Sequence, residues 1–246
     1  MKLNCDLGES FGHWQMGLDE AVMPHIDMAN IACGFHAGDA NIMVKTLLLA
    51  KSHGVEIGAH PGYADLQGFG RRAITHTFNE IVNLVLYQVS AITGTARALG
   101  CKVSYVKPHG ALYNGMMADA QIRNAIFEAM AMLNKESDQP LALMLLADSQ
   151  TAKLQEEAAK ISLPLLFEAF ADRRYCENGA LMARSQAGAV LDEKQMLAQV
   201  QQLVSEQTVT TESGKILKVQ ADTLCVHGDN EAGVQQIQQV RALCQV

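Results

Sequence analysis

The chain has 246 residues, 49% of them hydrophobic and 18% charged, with a formal net charge of −7. This composition describes a well-packed globular protein and excludes a disordered one. The acidic balance argues against a nucleic-acid or anionic-membrane surface.

From the N-terminus, MKLNCDL runs straight into a strand-like segment with no signal-peptide pattern. Short apolar runs then recur at LNCDL (3–7), IDMANIAC (26–33), VEIGAH (55–60), VSYVK (103–107), LALMLLA (141–147), LLFEAFA (165–171), ILKV (216–219) and TLCVH (223–227). Helical-period stretches separate them at 40–52, 78–99, 118–133, 149–159, 193–205 and 232–243. Asp39, Asp119 and Asp192 stand where N-caps or first-turn acids belong, and Gly54 and Gly100 follow helices as C′ glycines do.

Strands alternating with helices predict a parallel sheet covered by helices. No linker divides the chain, so 1–246 is read as one domain. An open doubly wound sheet would share the alternation. Seven or eight strands in this length favour a closed, irregular (β/α) barrel. The longest apolar run, LALMLLA, is far short of the roughly 20 residues that span a bilayer. The six cysteines are dispersed without a CxxC pair, which reads as packed thiols in a reducing, cytoplasmic setting.

The strand ends are unusual. Apolar runs stop on Asp6 (with Glu9 beyond it), His36, His60, Lys107 with His109, and His227, while the run at 165–171 carries Glu168 and leads into Asp172, Arg173, Arg174 and Tyr175. A single histidine at a strand end is commonly structural. In a parallel barrel, however, every strand's C-terminal end meets one face, where barrel active sites are built. Buried polar groups gathered there must pair with one another or with a ligand. Gly34, Gly38, Gly62, Gly110 and Gly228 allow sharp turns and close ligand approach beside them. Pro61 and Pro108 shape the exits from two strands, in either isomer.

The catalytic candidates are Asp6, His36, His60, Lys107, His109 and Glu168; Asn30, Tyr113, Arg173, Arg174 and His227 are candidates for binding substrate or phosphate. His13, His25, His53 and His76 read as ordinary surface residues. No GxSxG elbow, HExxH or GxxxxGK[ST] loop is present. A divalent metal could be assembled across strand ends from Asp6, His60 and His109. Acid–base work on a carbonyl compound uses more of the set: imidazoles and carboxylates side by side, plus a cation for an oxyanion.

The blocks LNCDLGESFG, NIACGFHAGD, IGAHPGYADLQGFGRR, VKPHGALYN, EAFADRRY and CVHGDN, in order from residue 3 to residue 230, resemble those of the LamB/YcsF family. Ala64 departs from the proline expected after HPGY and touches none of the proposed chemistry. The resemblance implies an irregular barrel related to the polysaccharide deacetylase and glycoside hydrolase type. It also implies the ATP-dependent opening of 5-oxo-L-proline to L-glutamate, ADP and phosphate, performed with two partner subunits, B and C. Without a phosphate loop here, ATP would be handled by the assembled complex. Asp6 or His109 would then act as base for water, Lys107 with Arg173 or Arg174 would stabilise an oxyanion or phosphate, and His60 or His36 would protonate the leaving nitrogen. Two other readings stay open: a stand-alone metal-dependent amidohydrolase or deacetylase, and a non-catalytic lactam-binding subunit. The aperiodic stretch 173–191 reads as a lid or a partner contact.

Overall fold

The computed structural model describes residues 1–135, 137–227 and 231–244; Gly228 lies outside them. The elements in chain order are β1 (Lys2–Leu7), α1 (Asp19–Val22), β2 (Met28–Ala32), α2 (Ala40–His53), β3 (Glu56–His60), α3 (Phe78–Ala98), β4 (Val103–Val106), α4 (Gly110–Ala118), α5 (Ala120–Asn134), β5 (Ala142–Leu146), α6 (Thr151–Ala159), β6 (Leu165–Phe170), α7 (Glu193–Glu206), β7 (Thr208–Thr210), β8 (Ile216–Lys218), β9 (Thr223–Val226) and α8 (Glu231–Cys244). Seven parallel strands close a barrel in the order β1-β2-β3-β4-β5-β6-β9, with β9 returning to β1. Among the described residues, no helix is long and apolar enough to cross a membrane.

One sequence expectation is corrected. The run at 216–219 forms no barrel strand; β8 pairs antiparallel with β7 in a separate hairpin. Its three residues alternate exposed, half-buried, exposed, so it offers no second face for a barrel to bury. The helical stretch expected at 118–133 is α5, and α4, just before it, has no counterpart among the expected helices. Asp119 stands between them in extended conformation, ending α4 and capping α5 through the Gln121 N–H. Asp39 caps α2, and Asp192 caps α7 in a reciprocal capping box with Gln195. Gly54 ends α2 at φ 66°, a left-handed turn that suits glycine. Every described peptide bond is trans, including those at Pro61 and Pro108.

The barrel interior follows from the two-residue period of a strand. Asn4 and Asp6 on β1, Met28 and Asn30 on β2, Tyr105 on β4 and Glu168 on β6 face one another across it, and their alternates pack outward under the helices. Hydrogen bonds between strands that are not neighbours establish this. Tyr105 Oη donates to Asn30 Oδ1 (2.6 Å), and Asn4 Nδ2 donates to Glu168 Oε2 (3.3 Å). The floor is apolar, with Met28, Tyr105 and Met144 buried together. The layers turn polar toward the strands' C-terminal ends.

Gly58 lets the Tyr105 ring lie against β3, because a Cβ at this position would land on the ring. Gly58→Ala is therefore expected to destabilise the protein by about 1–3 kcal/mol through overpacking, read as a lowered urea midpoint.

Candidate active site

The next layer above Tyr105 is built around Lys107, which immediately follows β4 and is 3% exposed. Its Nζ lies 2.9 Å from Glu168 Oε2 and 3.1 Å from Asp6 Oδ1, with Asn4 Oδ1 at 3.2 Å and Cys225 Sγ at 3.3 Å. Burial alone would push the lysine toward its neutral form. Asp6 and Glu168 reverse that and hold it as an ammonium well above its ordinary range. An ammonium has three protons to give, and acceptors within the barrel already surround this one. Lys107 thus anchors carboxylates and has no proton to spare for an oxyanion.

Asp6 Oδ1 also accepts from Asn30 Nδ2 (2.7 Å), and its Oδ2 lies 3.4 Å from His60 Nε2. Burial would raise this carboxyl, but His60 and Lys107 beside it hold it well below the usual carboxylate range. Asp6 is an oriented, ionised carboxylate with one oxygen anchored and the other turned toward the imidazoles.

Those imidazoles form the second half of the site. His36, His60 and His109 are buried together. His36 stacks on His109 at 3.8 Å between centroids with planes 2° apart, whereas His60 stands nearly perpendicular to both. His60 Nδ1 lies 2.6 Å from the Lys107 carbonyl oxygen, and His109 Nε2 lies 2.8 Å from that of Phe69. A carbonyl oxygen only accepts, so these two nitrogens carry the ring protons. The remaining nitrogens, His60 Nε2 and His109 Nδ1, face each other at 3.0 Å. Burial, reinforced by His60, lowers the His109 pKa to about 3; burial and the two neighbouring rings also push His36 well below its usual range. His36 is therefore a neutral imidazole, and neither of its ring nitrogens has a hydrogen-bond partner.

The loop after β3 closes over this cluster. Phe69 adopts φ 53°, rare for a residue with a side chain, and this turns its carbonyl onto His109. Gly70 follows at φ 63°, and a Cβ there would strike His36 Cβ and His109 Cδ2. Glu9 enters from the loop after β1, with Oε1 3.6 Å from His36 Nε2 and 3.7 Å from His109 Nδ1. Glu9, His36, His60 and His109 each bring a ligand-type atom within 4.8 Å of the others, as do Asp6, Cys225 and His227.

On the far side, His227 Nδ1 pairs with Asp172 Oδ2 at 3.0 Å, and Arg184 Nη2 lies 3.2 Å from His227 Nε2. Residues 173–191 form an irregular strap held by bridges between Arg173 and Val190 and between Tyr175 and Leu181. Arg173 Nη2 donates to the Met182 carbonyl (2.6 Å), leaving a buried Nε without a hydrogen-bond partner. Arg174 instead donates to the Gly188 carbonyl and serves the strap. Tyr113, on α4, points a buried hydroxyl toward Glu168.

The mouth thus gathers Asp6, Asn30, His36, His60, Lys107, His109, Tyr113 and Glu168, with His227 and Arg173 at one edge. Sequence reading missed Asn4, Tyr105 and Arg184 and gave Glu9 no role. For Asn4 and Tyr105 a signal existed: each lies two residues before a residue that was chosen, Asp6 or Lys107, and shares its face of the strand. Arg184 sits in an aperiodic segment that carries no such signal.

Lys107→Met should cost about 3–5 kcal/mol in urea unfolding, because it strands the buried Glu168 and half-buried Asp6 carboxyl groups. Adding Glu168→Gln should recover part of that loss. Burial would raise the Asp172 carboxyl and depress the His227 imidazole, but their mutual attraction overcomes both effects, lowering the first and raising the second. The His227 contribution is complete below an unfolded pKa of about 6.5 and is lost as pH rises through the raised folded value. The Asp172 contribution is complete above about 3.9 and is lost as pH falls through the lowered one. The pair is thus strongest between about pH 4 and 6.5. Asp172→Asn should shift the His227 titration, followed by NMR, to lower pH.

The chain matches the LamB/YcsF family over residues 1–245. It is 50% identical over 242 residues to the 5-oxoprolinase A-subunit of Vibrio parahaemolyticus, covering 98% of this chain and 94% of that one. The crystal structure of a lactam utilization protein from Thermus thermophilus superposes with a TM-score of 0.89 at 36% identity, covering 100% of this chain and 96% of that one. A GH113 β-1,4-mannanase shares the barrel alone, with a TM-score of 0.55 at 9% identity over 99% of this chain and 98% of that one. With the match running from end to end, this chain belongs to the LamB/YcsF family.

Proposed function

We propose that this chain is the A-subunit of an ATP-dependent 5-oxoprolinase, opening 5-oxo-L-proline to L-glutamate together with subunits B and C. Its likeness to proteins named as 5-oxoprolinase A-subunits supports the substrate class. The observation that carries the chemistry is Asp6: an ionised carboxylate anchored at one oxygen by Lys107 and Asn30, beside His36, which has two uncommitted ring nitrogens.

A lactam resists water because amide resonance is strong, as the roughly 18–20 kcal/mol rotation barrier indicates. Transfer of the ATP γ-phosphoryl group to the amide oxygen yields ADP and a far better electrophile. This chain has no phosphate loop, so that transfer is assigned to the complex. Asp6 takes a proton from water as it attacks the activated carbon. That proton passes from Asp6 to one nitrogen of His36, which gives one from its other nitrogen to the departing ring nitrogen, so both groups end as they began. Hydrolysis of the resulting acyl phosphate releases glutamate and phosphate. Arg173, with its bare Nε, is the cation placed to meet phosphate or oxyanion charge; Lys107 positions Asp6.

The test is glutamate release from 5-oxoproline by the purified chain alone and with its partner subunits, with and without ATP. Activity confined to the complete ATP-containing mixture is expected, and Asp6→Asn should lower its kcat about 10²–10⁴-fold. Release by the chain alone without ATP would establish a self-sufficient hydrolase. Full activity of the Asp6→Asn complex would make this chain a binding component of the assembly.

A further inference from the structure

Two imidazoles at the centre of the site face each other with acceptor atoms. His60 is fixed by the Lys107 carbonyl at Nδ1, and His109 by the Phe69 carbonyl at Nε2. With those N–H groups committed, His60 Nε2 and His109 Nδ1 face each other 3.0 Å apart. Neither ring can turn its N–H inward without leaving a buried carbonyl unpaired, so the pair repels unless something positive lies between. Carboxylate oxygens crowd the same point: Asp6 Oδ2 is 3.4 Å from His60 Nε2, and Glu9 Oε1 is 3.7 Å from His109 Nδ1. One shared proton would bridge two acceptors. A divalent ion, by contrast, can be ligated by several such atoms at once.

We propose that His60 Nε2, His109 Nδ1 and Glu9 Oε1 bind one divalent transition-metal ion of the zinc class, with Asp6 Oδ2 as the adjacent oxygen. Ligands about 2.0–2.2 Å from one ion lie roughly 3.0–3.5 Å from each other, and the observed spacings of 3.0, 3.4 and 3.7 Å stand close to that range. A mixed nitrogen and carboxylate set suits zinc and its neighbours. Ring N–H groups held by backbone carbonyls are the usual outer support of metal-binding histidines. The strained Phe69 backbone has the same explanation, since its carbonyl fixes the His109 tautomer.

His36 lies near enough to be counted with this group, but its geometry excludes it. Its ring is stacked parallel to that of His109 at 3.8 Å, and imidazole lone pairs lie in the ring plane. One ion cannot lie in both planes. His36 therefore keeps its nitrogens for other work, and the ligand set differs from the sequence expectation of Asp6, His60 and His109 by the entry of Glu9.

The experiment is metal binding by the full-length chain, stripped with a chelator and dialysed against Zn²⁺, with Co²⁺ absorption as a second readout. One ion per chain is expected, with visible Co²⁺ bands. His109→Gln and Glu9→Gln should weaken binding by more than the roughly 10–100-fold typical of losing an outer-shell partner, while His36→Gln keeps one ion per chain. Glu9 lies at the partly exposed rim, so its variant tests the site even if His109→Gln misfolds. The proposal is overturned by sub-stoichiometric binding in the wild-type chain, or by affinity unchanged in Glu9→Gln. It is equally overturned by an imidazole ¹⁵N spectrum of the metal-treated chain showing one proton shared between His60 and His109. None of these readouts depends on glutamate release, so the metal site and the proposed reaction can fail separately.

Discussion

The buried ammonium of Lys107 is the constraint on which the rest of the site depends. Removing a charge from water costs several kcal/mol even after relaxation, and only close opposite charges with good hydrogen bonds offset it. Here the offset comes from across the barrel: Glu168 on β6, Asp6 on β1, and Asn4 one layer below. Those contacts tie three non-adjacent strands through the interior, which strand pairing cannot do. They also settle which way each carboxylate points. Asp6 spends one oxygen on Lys107 and Asn30 and turns the other upward, so the geometry of the mouth is inherited from the layer beneath it.

The two halves of the site differ in what they lack. Around Lys107, acceptors outnumber the ammonium protons, and Glu168 Oε1 and the Tyr113 hydroxyl have no hydrogen-bond partner. Around His60 and His109, two ring nitrogens face each other, and His36 has a hydrogen-bond partner for neither nitrogen. Buried polar groups left in this condition cost stability unless a ligand or ion completes them. The protein also bears strain to keep them so at Phe69, and Gly70 leaves open the space that the rings occupy. The strap at 173–191 approaches from the opposite rim, where Arg184 meets His227. Protonating that ring would remove the lone pair that receives the guanidinium, because arginine has only donors.

Much of this was legible in the residues themselves, because a strand alternates with a period of two and a parallel barrel brings all its strand ends to one face. Asp6, His60, Lys107 and Glu168 could be chosen on that ground, and each belongs to the cluster. The same period would have reached Asn4 and Tyr105 had it been followed one step down the strand. Helix caps were equally visible, since Asp39, Asp119 and Asp192 act through backbone groups only a few residues away. The 216–219 run misled because four apolar-rich residues suggest a strand without saying which sheet accepts it.

What the sequence determined by itself was local and periodic: the alternation of elements, the caps, the polar strand ends, and a family resemblance carried by contiguous blocks. What only the tertiary structure decided was pairing at a distance. Lys107 could have been a free cation for an oxyanion; the acceptors that use its protons lie more than 60 residues away in sequence. His36, His60 and His109 looked equivalent, yet two backbone carbonyls set the tautomers of two rings, and stacking turned the third out of their plane. Such differences arise from the directions of lone pairs and N–H bonds in space, which depend on how the barrel closes and on no property of the residues taken singly.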